Sequence, residues 1–255
     1  MECNILLKIV YIFAVYRKDK LFEKSENIYT HQNMSNTFYR TKMEVMTISI
    51  LYFVAVAIYF LPLALPCKLA LPVALLFLAS FKLLPWQMSF AMFFSCAGDY
   101  MGAIGNFMGQ MGAFALAHVF LILYFLSRYR LGVKRRKYGR YSLRYKIAAT
   151  IIVLPLITFA LLKIFPRVPD GIMSYGVLIY SLLISFMLWC ALQQRSALFA
   201  LGGALFLASD MILAWNRFVE HIPHATYYIL VPYFLSQWLL FIRSTKWWGR
   251  LMEKE

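Results

Sequence analysis

Acid is scarce in this sequence: 11 Asp and Glu stand against 26 Lys and Arg in 255 residues, and charged residues make up only 15% of the chain. So little charge beside 62% apolar residues excludes an ordinary soluble domain, which carries about a quarter of its residues charged. Cysteine is scarce as well. The four Cys include no close pair, which excludes a disulfide framework and a zinc motif. Cys96 and Cys190 lie inside apolar runs, where a free thiol behaves as a small hydrophobe. Alternation of apolar and polar residues over stretches of about ten is also missing, so the chain does not read as a membrane β-barrel. What remains is an all-α, polytopic integral membrane protein.

The excess of base is concentrated. Nine Lys or Arg and no acid fall between Arg128 and Lys146, in a stretch joining two apolar segments. So placed, they read as a cytoplasmic loop touching anionic lipid headgroups, not as a surface for nucleic acid. Eight spans are expected, at about 44–61, 67–82, 86–104, 107–126, 147–165, 171–191, 196–214 and 224–242, several of them near the short limit. They make an eight-helix membrane domain over 44–242, with two four-helix units as its simplest division. Residues 1–43 are expected to be a loose extension, since ILLKIVYIFAV is short, interrupted by Lys8 and followed by no signal-peptide cleavage pattern. Residues 243–255 form a basic tail with Arg243, Lys246 and Arg250. With the basic loop inside, both termini, Lys82 and Arg195 fall on the cytoplasmic side too. Trp86, Trp247 and Trp248 then sit where an interfacial aromatic belt is expected.

Against that background two acids stand out, Asp99 in WQMSFAMFFSCAGDYMGAIG and Asp210 in LFALGGALFLASDMILAW. An ionisable group inside a span costs roughly 2.5–3.5 kcal/mol on insertion scales unless it is paired, hydrated or turned into the bundle. Both spans run from inside to outside, and each Asp lies about 14 residues along, near 20 Å into a core of about 30 Å. Equal depth is expected to bring them face to face across a lipid-accessible cavity in the outer half of the membrane. Two carboxyl groups sharing one site do not readily both ionise, which supplies an acid and a base. A faint repeat accompanies them: Ser95 and Ser209 precede the two acids, and Phe107 and Phe218 follow eight positions on.

Other polar residues have two readings each. His118, near the middle of its span, is either an interhelical hydrogen-bonding group or part of an active site. Tyr233 and Gln237, one turn apart, line a cavity or form a structural pair. Lys68 and Arg217 lie at outer ends of spans and suit an anionic headgroup, with Asn216 beside Arg217 and Asn106 in the corresponding place after Asp99. Gly98, Gly102, Gly105, Gly109 and Gly112 read as close helix approach, and Gly202 and Gly203 likewise. Pro62, Pro66, Pro72, Pro155 and Pro232 are kinks or end signals.

Together a Lys opening the second span, SCAGD, FMGQMGAFALAH, GGALFLASD, NRF and YFLSQ resemble the YhhN family, the bacterial relatives of the animal TMEM86 lysoplasmalogenases. The resemblance covers about 44–242, and departs from the family at Leu69, where a Pro usually follows the Lys. It implies a bacterial inner-membrane hydrolase acting on the vinyl ether bond of a lysophospholipid, without metal or organic cofactor. Carried over residue by residue, it implies Asp99 and Asp210 as catalytic, with Ser95, His118, Ser209, Asn216, Tyr233 and Gln237 in support and Lys68 and Arg217 at the headgroup. A small transporter or lipid-binding membrane protein, its Asp pair carrying protons or a counter-ion, is the other class of function these features fit. A third reading makes both Asp interhelical anchors.

Overall fold

The computed structural model describes residues 31–62, 68–134 and 143–252. Expectations about residues 1–30, Pro66, the centre of the basic loop and the side chains of Lys246, Trp247, Trp248 and Arg250 lie outside the described residues. Among the described residues there are eight α-helices and no strand: α1 (His31–Phe60), α2 (Leu71–Leu83), α3 (Trp86–Ala103), α4 (Phe107–Lys134), α5 (Leu143–Phe159), α6 (Ile172–Leu192), α7 (Ala197–Phe218) and α8 (Ala225–Met252). Helix α1 begins at His31 and so reaches back into the stretch expected to be loose. Contacts divide the chain into Met1–Met46, of which the described part is helical, and Thr47–Glu255. The second unit is one body, not two four-helix bodies.

Among the described residues six helices are long and apolar enough to cross a membrane: α1, α4, α5 with its π turn, α6, α7 and α8. The protein is thus a multi-pass membrane protein, and two of the eight expected spans fall short for different reasons. Helix α2 has 13 residues, about 20 Å of helix against a core of about 30 Å. Helix α3, at 18 residues, is nearly long enough but carries Gln87, Ser89, Ser95, Gly98 and Asp99. Its polarity follows from its place inside the bundle, where Met88, Ser89, Ala91, Met92, Ser95, Gly98 and Asp99 are buried. The exterior is inverted relative to a soluble protein. Ile151, Leu162, Ile172 and Ile179 are more than 60% exposed, while Ser, Asp, His, Arg and Gln side chains are buried.

Within Thr47–Glu255 the helices α2, α3, α4, α6, α7 and α8 form a closed cycle of neighbours, and α5 packs on α6. Fully buried Tyr124, Phe125, Phe199, Phe206, Tyr233, Phe234 and Phe241 fill this core. Helix α1 is tied to α8 by the Tyr52 hydroxyl, which donates to the Phe234 carbonyl at 2.7 Å, and by Trp238, whose indole N–H donates to Ser49 at 3.1 Å. Glycine makes the close approaches. A Cβ on Gly98 would stand 3.0 Å from the Phe114 ring and one on Gly102 2.6 Å from Gln110, so α3 and α4 meet along this edge. Gly202 and Gly203 face Leu240 and Ala191 in the same way. The rest of the stripe does other work: Gly105 takes φ +76° in the α3–α4 turn, Gly109 donates its N–H to Asn106, and Gly112 faces open space. Five residues after Pro155, α5 widens into a π turn, Ala160–Ile164.

Candidate functional site

Asp99 and Asp210 are each the fourteenth residue of their helices, α3 and α7. Each is held by a tyrosine hydroxyl from another helix. Tyr233 on α8 donates to Asp99 Oδ2 at 2.9 Å, and Tyr180 on α6 donates to Asp210 Oδ2 at 2.5 Å. His118 on α4 is fully buried, with Nε2 3.1 Å from the Tyr180 oxygen and 3.5 Å from Asp210 Oδ2. A cluster of rings joins the surroundings of Tyr233 to those of His118. Phe114, Phe206 and Tyr233 pack edge to face at 5.5–6.0 Å, and Phe206 lies 4.6 Å from the His118 ring.

A cavity opens on one side of this cluster. It is partly open to the outside and is bounded by α4, α5 with its π turn, α6 and α7. Its walls are apolar, and its polar groups are Gln110, Tyr180, Ser181, Ser185 and Asp210. Asp99 is not on the wall. The expectation that both acids line one cavity is therefore corrected: Asp210 does, whereas Asp99 is 2% exposed, bonded to Tyr233 and not among the lining residues. Phe107 and Phe218, each eight residues beyond an Asp, pack edge to face at 5.7 Å and both line the cavity.

The remaining residues separate clearly. Arg217 is exposed and lies over the Phe107 ring at 5.3 Å, so it stands beside the cavity wall. Lys68 is elsewhere, donating to the Leu61 carbonyl at 3.1 Å over the Tyr59 ring. Ser209 donates to the Ile229 carbonyl at 2.8 Å, binding α7 to α8, and Asn216 accepts from the Ile222 N–H at 2.8 Å in the turn between them. Ser95 is buried one turn before Asp99, and Gln237 is buried one turn after Tyr233. Cys190 is buried and Cys96 half-buried. Tyr180 was not legible in the sequence, because a tyrosine in an apolar span is ordinary and only the fold turns it toward Asp210.

Fold and site together define a helical membrane protein with carboxyl groups inside the bundle, one of them on an apolar cavity. The YhhN family model matches residues 45–244, and the chain belongs to that family. It is similar to lysoplasmalogenase TMEM86B of Sus scrofa, 30% identical over 90 residues, which is 35% of this chain and 38% of that protein. The Homo sapiens TMEM86B is 32% identical over 78 residues (31% and 33%), and that of Rattus norvegicus 32% over 101 residues (39% and 40%). The matched segments thus span two-fifths or less of these relatives. No solved structure gives a significant match.

Proposed function

We propose that this protein hydrolyses the vinyl ether bond of lysoplasmalogens, releasing a fatty aldehyde and glycerophosphoethanolamine or glycerophosphocholine. The observation that carries the reading is Asp210 on the wall of a largely apolar cavity, in a chain whose named relatives are lysoplasmalogenases. A single alkenyl chain suits such walls, and Arg217 beside Phe107 suits the phosphate. Lys68 is a second headgroup candidate, though it borders no wall of this cavity.

The chemistry needs a proton and a water. Protonation of the vinyl β-carbon makes an oxocarbenium ion, and water adds to its carbon with loss of a proton to a base. The hemiacetal then breaks its C–O bond, giving aldehyde and the glycerol hydroxyl, with one water consumed. Asp210, accepting from Tyr180 on the cavity side, is the carboxylate that steadies the cation and orients water. Asp99, bonded to Tyr233, is the acid. His118 and Tyr233 support the two carboxyl groups, Ser95 and Gln237 complete the buried surroundings of Asp99 and Tyr233, and Ser209 and Asn216 fix α7 against α8.

In this account all eight helices belong to the membrane domain, with α2 and α3 carried inside it. The protein sits in the bacterial inner membrane with both termini cytoplasmic and residues 128–146 against anionic headgroups. Purified protein in detergent should release aldehyde from lysoplasmenyl-ethanolamine but not from the matching ester lysolipid, with no sealed compartment or gradient. Absence of aldehyde across pH 5–8 would turn the reading toward a transporter or lipid-binding protein.

A further inference from the structure

Tyr180 both bonds the Asp210 carboxylate and lines the cavity, whereas Tyr233, which bonds Asp99, is not among the lining residues. Both contacts to Asp210, from Tyr180 at 2.5 Å and from His118 at 3.5 Å, fall on Oδ2. A phenol has one proton. With that proton donated to Asp210, the Tyr180 oxygen is left to accept from His118 Nε2 at 3.1 Å, which places the imidazole proton on Nε2. His118 Nδ1 is buried and has no hydrogen-bond partner among the described residues. As a bare ring nitrogen it leaves only an acceptor unmet, a smaller penalty than a buried N–H without a partner.

This line of hydrogen bonds runs from His118 through Tyr180 to Asp210 on the cavity wall. Its effect is to hold. We infer that Tyr180 is a positioning residue for the reaction proposed above: it fixes Asp210 by Oδ2 and so presents the other carboxyl oxygen to the substrate and water in the cavity. The inference rests on that reaction for its kinetic consequence, but the Tyr180–Asp210 hydrogen bond can be tested without it.

The experiment uses the full chain in detergent, with the Asp210 carboxyl band assigned in the infrared spectrum as the one lost in Asp210→Asn. Tyr180→Phe should move that band and lower kcat about ten- to a hundredfold, the scale of one hydrogen bond to a charged group, with KM changed less than about twofold. Tyr175→Phe, on the same helix but 70% exposed, should do neither. An unmoved band, or parent kcat in Tyr180→Phe, overturns the inference. A raised KM at parent kcat also overturns it, because Tyr180 would then bind substrate without orienting Asp210. If Tyr180→Phe does not fold, 3-fluorotyrosine at position 180 decides through the same band, which should move. If the parent releases no aldehyde, the reaction fails while the infrared arm still decides on Tyr180.

Discussion

Arg217 and Lys68 look alike in the sequence, two cations at outer helix ends, yet only Arg217 stands beside a wall of the cavity, over Phe107. A phosphate contact that is uniform through the reaction raises KM and spares kcat when it is lost. Arg217→Ala is therefore expected to raise KM for lysoplasmenyl-ethanolamine about tenfold with kcat within about twofold, and Lys68→Ala to leave both near the parent values. Steady-state aldehyde release checks this, and the opposite pattern moves the headgroup to the Lys68 side. Asp99, Asp210 and His118 were legible because an ionisable group in an apolar run demands an explanation. Their partners were less so, since nothing in SYGVLIYSLL marks Tyr180 over Tyr175 until helix rotation is known.

The paired helices α3 and α4 carry the glycine stripe, and the structure assigns its members different tasks. Periodicity announces small residues on a face but not which neighbour that face meets, so Gly98 and Gly112 read alike in the sequence. In the fold, a methyl at Gly98 would press on the Phe114 ring, which is held between Phe206 and Tyr233, whereas one at Gly112 meets nothing within 4 Å. Gly98→Ala should lower stability by about 1–3 kcal/mol, the scale of an overpacked core, and Gly112→Ala should not lower it. Thermal unfolding in detergent separates the two, and equal midpoints would mean that α4 gives way to the methyl. The π turn at Ala160–Ile164 and the shortness of α2 were beyond sequence reading for a related reason. Both sit in largely apolar stretches, where composition changes little while backbone geometry does.

At the scale of the whole molecule, orientation follows from charge. We propose that Lys82, Arg195 and the basic stretch 128–146 lie on the cytoplasmic side and Arg167, Asp170, Arg217 and Glu220 on the other. In a background with the native Cys replaced, an external thiol reagent should label Cys introduced at Pro169 and miss Cys introduced at Lys137. The reverse pattern would invert the topology and place the cavity mouth toward the cytoplasm. Deleting residues 1–42 with a start at Met43 should leave activity within about twofold, since the family match begins at residue 45. Loss of most activity at equal membrane expression would show that the first part of α1 matters to the site.

In the proposed reaction Asp99 and Asp210 act together although only Asp210 lines the cavity. A double-mutant cycle of aldehyde release tests that joint action most directly, using Asp99→Asn, Asp210→Asn and the double variant, each shown to be folded by size exclusion in detergent. Asn keeps size and hydrogen-bonding capacity while removing the acid–base function. Each single change is expected to cut kcat by at least about a hundredfold and the double variant to be little worse than either, as for groups that act as a unit. Near-parent turnover in either folded single variant, or losses that multiply in the double, would contradict the account.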